Sequence, residues 1–391
     1  MARQLSQYLS LDDFEPSARR LLPKPLFAYV QGGVEDNQTL RANRSAFADY
    51  YLKPNVLVDV SKRDISTELF GHRYGAPVGI APMGIAALTG YRGDLSMALA
   101  AQAANVPFVM SGSSLIRLEV VLEAAPQTWF QAYLPGDAAQ IAPLIERVRQ
   151  AKVQTLVITV DTPVKANREN NVRAGFSTPL RPSLALAWQG ISHPRWTLGT
   201  FLRTLVHHGL PHFENNYATR GAPVLSASVV RDFSDRGHLN WQHIRDIRRQ
   251  WPGAMVIKGV LTAADAERCK AIGIDGIVIS NHGGRQLDGS VPPLWVLPEI
   301  VAASDGMVVM LDSGIRRGTD VLKAIALGAR ATFIGRPFNY ASAVAGQAGV
   351  AHGIKLIVDE VSRDLGMLGV TELAGLGAGV LVQRPGGTAH A

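Results

Sequence analysis

Gly276-Ile277-Val278-Ile279-Ser280-Asn281-His282-Gly283-Gly284-Arg285-Gln286-Leu287-Asp288 begins as a short, β-branched, wholly apolar run and ends as a polar turn rich in glycine. A run that is apolar on both faces suits a strand covered on either side by helices, as in parallel sheets. Such a strand delivers His282 and Arg285 to its carboxyl end, where parallel barrels and doubly wound sheets carry their chemistry. Imidazole accepts a proton near neutral pH, and a guanidinium three residues on grips a carboxylate with two parallel hydrogen bonds. Gly283 and Gly284 let the backbone turn between the two and leave room for a ligand.

Seven further runs of this kind lie at 78–84, 108–112, 129–133, 155–161, 254–260, 308–314 and 331–337, which with 276–283 makes eight. Between most of them apolar residues recur at helical spacing, at 94–104, 141–152, 262–272 and 319–327, with Gly328 as a C-terminal stop for the last. Alternation of this kind predicts an α/β fold of parallel βαβ units closing into a (β/α)8 TIM barrel. The expected organisation is one domain over 1–391, with a barrel core at about 76–345, a helical preface at 5–48 over one barrel end, and a tail at about 372–391.

The spacing breaks once, between residues 161 and 254, a gap far above the usual connection of a few residues. An insertion is therefore expected at about 177–235. Its first half, 177–217, mixes Leu184, Trp188, Trp196, Leu198, Phe201 and Val206 with Arg181, Arg195 and Arg203. That mixture suits the headgroup region of a membrane, and it also suits a lid or a subunit contact.

The formal charge of +7 favours anionic partners. Nucleic acid is not expected, because the basic residues are dispersed without an interleaved aromatic ladder. Cys269 is the only cysteine, so no internal disulfide and no thiolate metal site is expected, and no metal is assigned. Residues 1–16 lack the apolar core of a secretory signal. The most apolar stretch, 97–110, is interrupted by Gln102, Asn105 and Pro107 and is too short to span a bilayer. A cytoplasmic location follows as the expectation, with the inner face of the cell membrane as the surface that 177–217 would meet.

Two loops point to a phosphate. Asp312-Ser313-Gly314-Ile315-Arg316 and Ile334-Gly335-Arg336-Pro337 end consecutive strands, the seventh and eighth, where barrels hold phosphate on backbone N–H groups and a helix N-terminus. Other polar residues end strands too: Ser111, Gln131, Tyr133, Thr159, Asp161, Lys258 and Ser280. Polar groups gathered at a buried rim imply a flat polar ligand. Lys258 interrupts an apolar strand, as if facing a partner that becomes anionic. Asp161 is placed to hold an imidazole and stabilise its protonated form.

With these residues in place, the chain from about 11 to 364 resembles the FMN-dependent 2-hydroxy acid oxidase and dehydrogenase family, and 280–288 is highly specific for it. The resemblance implies an FMN-bearing barrel that oxidises a 2-hydroxy acid to the 2-keto acid. It casts His282 as the base, taking either the α-proton or the hydroxyl proton, with Asp161 orienting it. Arg285, Arg168 and Tyr29 would hold the substrate carboxylate, and Tyr133 would bond near the hydroxyl. Lys258 would face the flavin N1/O2 edge. Pro82, Met83, Gly84, Ser111, Gln131, Thr159 and Ser280 would line the isoalloxazine, with Tyr133 beside it. Asp312 would meet the ribityl chain, and Gly314, Arg316, Gly335 and Arg336 the phosphate. A homotetramer is also what the family suggests.

Departures from the family pattern narrow the expectation. Glycolate-oxidising members have a bulky aromatic residue where this chain has Ser113, and alanine where it has Gly84, which also borders the substrate. Both changes enlarge the pocket, and one methyl is worth about 1 kcal/mol of fit. The segments at 193–196, 240–241 and 386–391 look most like the mandelate-oxidising branch. The expected substrate is thus (S)-mandelate or a similar bulky acid, with a membrane quinone as electron acceptor. The alternatives are an oxygen-using oxidase, an L-lactate dehydrogenase and, remotely, a degenerate barrel without activity.

Overall fold

A computed structural model describes residues 5–227 and 236–384. Residues 228–235 of the expected insertion, and the 386–391 stretch, lie outside the described residues. Eight parallel strands, numbered here in chain order, form one sheet: β1 Val78–Ile80, β2 Val109–Ser111, β3 Trp129–Ala132, β4 Thr155–Thr159, β5 Ala254–Val260, β6 Gly276–Ile279, β7 Val308–Asp312 and β8 Ala331–Ile334. From β2 to β8 each strand pairs with the next in sequence, and β8 pairs with β1. Ile80 bridges Phe108 in parallel, which joins β1 to β2 and rounds the sheet into a barrel. The expected runs start at or beside the observed strands but extend past several of them, because each run includes the functional loop that follows the last ladder bond.

Alternation along the strands positions the site. Inside the barrel, Val109, Trp129, Val157, Val256, Val278, Met310 and Phe333 pack in one apolar cluster. The hairpin of Thr67–Leu69 and His72–Tyr74 plugs the amino-terminal end through Leu69, Phe70 and Tyr74, with Trp129 Nε1 donating to Tyr74 Oη at 3.0 Å. Two residues further along six of these strands the interior turns polar: Ser111, Gln131, Thr159, Lys258, Ser280 and Asp312, all buried. One barrel therefore carries a dry floor and a polar mouth.

The preface caps the mouth, as helices Phe14–Leu21, Lys24–Gln31 and Gln38–Ser45. It is clamped to the loop after β6. Asn43 and Asn281 exchange amide hydrogen bonds at 2.8 and 2.7 Å, and Asp288 accepts from the backbone N–H groups of Gln38 and Thr39. The carboxylate thus caps a helix nearly 250 residues away in sequence.

Among the described residues one helix, Arg336–Met367, is both long and apolar. By length and composition it passes for a membrane span. However, Ala345 and Gly346 leave helical geometry and break it in two, and Phe338, Val350, Ile354, Ile357, Val361 and Leu365 are buried in the core. The insertion runs through helix Leu184–Ser192, the short Pro194–Trp196, a π-helical turn Thr197–Leu202 and helix Arg203–His208. Trp196 anchors it by donating Nε1 to Leu88 O at 2.8 Å. Helix Leu184–Ser192 buries no residue and leaves Leu184 at 92%, Trp188 at 63% and Ile191 at 69% exposure.

Candidate active site

The turn after β6 is built from three consecutive left-handed residues: His282 at φ 59°, Gly283 at 66° and Gly284 at 73°. For a histidine this backbone is uncommon and marks a constrained position. It is held by Ser280, whose Oγ accepts from His282 N at 3.0 Å and from Lys258 Nζ at 2.7 Å. Glycine is favoured at 283 by its left-handed φ, and a Cβ there would also lie 2.7 Å from Arg336 Nη1 and displace it. A second glycine makes room for the base's partner: at the bulge in β5, a Cβ on Gly259 would fall 2.7 Å from Asp161 Cβ.

Asp161 Oδ1 lies 2.9 Å from His282 Nδ1. The carboxylate can only accept, so Nδ1 carries the proton and Nε2 is left as the acceptor, 3.3 Å from Tyr133 Oη. Burial lowers the His282 pKa below the ordinary imidazole value, with Asp161 partly offsetting the shift. Burial alone would raise Asp161, but the adjoining His282 and then Lys258 hold it below the usual carboxylate range. Burial likewise presses on Lys258, yet Asp312 at 2.8 Å and Asp161 more than offset it, so the ammonium persists in the barrel mouth.

Three more cations converge here. Arg285 Nη1 donates to Tyr29 O at 2.7 Å and to Gly32 O at 2.8 Å, and its guanidinium lies 4.9 Å from the Tyr29 ring centroid. Arg168 Nε donates to Arg285 O, and Arg336 donates to the carbonyls of Val30, Gln31 and Gly32. Among the described residues no carboxylate pairs with any of the three. Burial, then the neighbouring Arg168, push the Arg285 pKa down to about 9. Charges buried without counterions call for anionic ligands.

These groups share one cavity of about 1080 Å³, above the usual span for a single drug-sized ligand and roomy enough for two. Tyr29, Pro82, Met83, Gly84, Tyr133, Thr159, Arg168, Lys258, His282, Arg285, Asp312, Gly314, Arg316, Gly335 and Arg336 line it as expected site residues. Ser111, Gln131, Asp161 and Ser280 are not among its lining residues; Ser280 and Asp161 instead bond Lys258 and His282, which are. Arg316 is engaged from the preface, its Nε 3.2 Å from Asp12 Oδ1. The sequence reading missed Phe176, stacked on Tyr29 at 4.6 Å, Arg236, 5.3 Å from the Tyr133 centroid, and Asn339. Asn339 follows Arg336 by three residues on the first helical turn, a spacing that signals a shared face. Arg236 comes from just past the expected insertion and carried no such signal.

The donor set fits FMN. Gln131 gives its Oε1 to Ser111 Oγ at 3.2 Å, while its buried Nε2 has no partner, as expected of a donor awaiting a polar ring edge. Asn339 Oδ1 is likewise buried and unpartnered. Lys258 supplies fixed positive charge in the mouth, and Arg336 stands on the first turn of its helix, a position suited to an anion such as a phosphate.

A parallel barrel whose mouth gathers a histidine bonded to an aspartate with buried arginines that no described carboxylate pairs has the make-up of a class, the flavin oxidoreductases of 2-hydroxy acids. The FMN-dependent dehydrogenase family model matches residues 18–383, and the chain belongs to that family. It is 35% identical to (S)-mandelate dehydrogenase of Pseudomonas putida, over 95% of this chain and 93% of that protein. It is 38% identical to L-lactate dehydrogenase of Azorhizobium caulinodans, over 96% of this chain and 99% of the relative. A crystal structure of monotopic membrane protein (S)-mandelate dehydrogenase superposes with a TM-score of 0.87 at 34% identity, covering 96% of this chain and 99% of that one.

Proposed function

We propose that the protein oxidises a bulky or aromatic (S)-2-hydroxy acid, such as (S)-mandelate, to the 2-keto acid and delivers the electrons to a membrane quinone or similar acceptor. FMN, when bound, supplies the two-electron sink. Arg285 and Arg168 grip the substrate carboxylate with Tyr29 beside them, which orients the hydroxyl-bearing carbon toward His282. Tyr133 Oη bonds the substrate hydroxyl. His282 Nε2 takes up a proton, and Asp161, held ionised, stabilises the resulting imidazolium. Lys258 keeps a positive charge where negative charge arises.

The observation that carries the substrate reading is the tight wall around Gly84. A Cβ on Gly84 would lie 3.0 Å from Tyr29 Oη and 3.1 Å from Ser113 Cβ, so even one methyl would crowd the wall next to the carboxylate-holding tyrosine and glycine spares that room. Gly84→Ala is therefore expected to lower kcat/KM for (S)-mandelate by about tenfold while changing that for L-lactate little. Steady-state turnover of both acids with a dye acceptor checks this. The similarity to lactate dehydrogenases supports a second reading, L-lactate oxidation, and a wild-type preference for lactate or glycolate over mandelate would establish it over the first.

Electron delivery to a membrane acceptor rests on the insertion. Leu184, Trp188 and Ile191 follow helical spacing on a segment with no buried residue, near Arg181 and Arg195. Each such apolar side chain contributes about 2 kcal/mol of burial when covered by lipid. Replacing all three by serine is expected to move the protein from the membrane pellet to the supernatant without loss of dye-linked activity. A wild-type protein that fractionates as soluble and consumes oxygen stoichiometrically with substrate would favour the oxidase instead.

A further inference from the structure

The stretch from Asp161 to Arg168 belongs to no helix or strand, yet a guanidinium must hold one orientation to grip a carboxylate well. Main-chain bonds fix the end of this loop: Arg168 N donates to Ala166 O at 2.9 Å, and Asn167 O accepts from Glu35 N at 3.3 Å. Neither reaches the Arg168 side chain. Gln286, next to Arg285 in the turn after β6, does. Its Oε1 accepts from Arg168 Nη2 at 2.5 Å, and its Nε2 donates to Asp161 O at 3.1 Å. One side chain therefore spans the two ends of the loop. The direction of the Gln286 amide follows from its partners, because a guanidinium can only donate and a carbonyl can only accept. Arg168 Nε adds a bond to Arg285 O at 3.1 Å. With Nε and Nη2 bonded to the turn, Nη1 is left for a ligand in the cavity that Arg168, Arg285 and Gln286 all line.

We infer that Gln286 is a positioning residue for the substrate carboxylate: it aims the Arg168 guanidinium and locks it to the turn that carries Arg285, so the two cations meet one anion as a ready pair. This rests on the carboxylate clamp of the reading above and not on the size of the substrate's side chain. Arginine has a long, flexible side chain, and ordering it before the substrate arrives removes that cost from binding. Two neighbouring guanidiniums also repel; Arg168 is, after burial, the strongest influence that lowers the Arg285 pKa. Without a tether Arg168 would turn away from Arg285 toward water. A carboxylate at position 286 would tether it too, but would neutralise the charge that the substrate needs. A neutral amide holds the cation and leaves its charge unspent.

A double-mutant cycle on the flavin-loaded protein with a dye acceptor tests this, run with whichever of (S)-mandelate and L-lactate wild type oxidises faster. That choice of acid judges the bulky-substrate reading separately. Gln286→Met removes both amide bonds and keeps the length of the side chain. It is expected to raise KM about tenfold or more, the size of a hydrogen bond to a charged group, with kcat little changed. In an Arg168→Met background the same change should leave KM where Arg168→Met alone puts it, because its effect passes through the guanidinium. A merely structural role would act alike in both backgrounds. Flavin content and thermal midpoint identify a variant that has failed to fold, and Gln286→Asn, one methylene too short to span both partners, then takes the place of Gln286→Met. An unchanged KM in the single variant, or the same rise in both backgrounds, would overturn the inference.

Discussion

His282→Asn is expected to leave FMN bound and to slow substrate oxidation by about two to four orders of magnitude, the usual contribution of a positioned base. Asparagine is the replacement of choice because position 282 sits at φ 59°, a left-handed conformation that asparagine tolerates better than most residues. It removes the titrating nitrogen and leaves the turn held by Ser280. The pH dependence gives a second readout. His282 must be unprotonated to accept a proton, and burial holds its pKa below the ordinary 6.5. Wild-type kcat/KM should therefore be level through neutral pH and fall as the pH drops through that lowered value. The acid limb should disappear in the variant. Rapid reduction of the flavin by substrate in His282→Asn, followed by stopped flow, would remove the residue from the base role.

Arg285→Leu is expected to lower kcat/KM for (S)-mandelate by about a hundredfold or more, because it strips a buried, desolvated cation from the substrate carboxylate. In the free protein this guanidinium bonds only carbonyl oxygens and the Tyr29 ring, so its charge is available to a ligand. Mandelamide, which has no carboxylate charge, supplies the control. The wild-type advantage of mandelate over mandelamide should largely vanish in Arg285→Leu. If both compounds lose equally, Arg285 acts by holding the Tyr29–Gly32 segment in place and not by binding charge.

The barrel was legible because its strands are buried on both faces and end abruptly in glycine, serine, aspartate or proline, which makes each run short and distinct. The chemistry of the mouth was legible for a related reason. Lys258 and Asp312 stand at inward positions of apolar strands, where a charge is conspicuous, and in the folded chain they pair with each other at 2.8 Å. Features that depend on distant partners were not legible. Asp288 reads as the end of a loop motif, yet it caps a helix of the preface. Arg316 reads as a phosphate ligand, and nothing in its surroundings announces Asp12 as a neighbour. Leu69, Phe70 and Tyr74 read as an unremarkable segment before the first strand but plug the barrel floor. Helix Arg336–Met367 was hidden for another reason: its apolar face and its loop-like start at Gly335–Arg336 serve the core and the site at once.

The most direct test of the account is the visible spectrum of the purified protein, recorded anaerobically as (S)-mandelate is added. A bound flavin is expected, its absorbance bleaching to completion with one equivalent of the acid per flavin. A flavin that stays oxidised under mandelate but bleaches with L-lactate would contradict the assigned substrate class, and a protein that retains no flavin would contradict the proposed chemistry altogether.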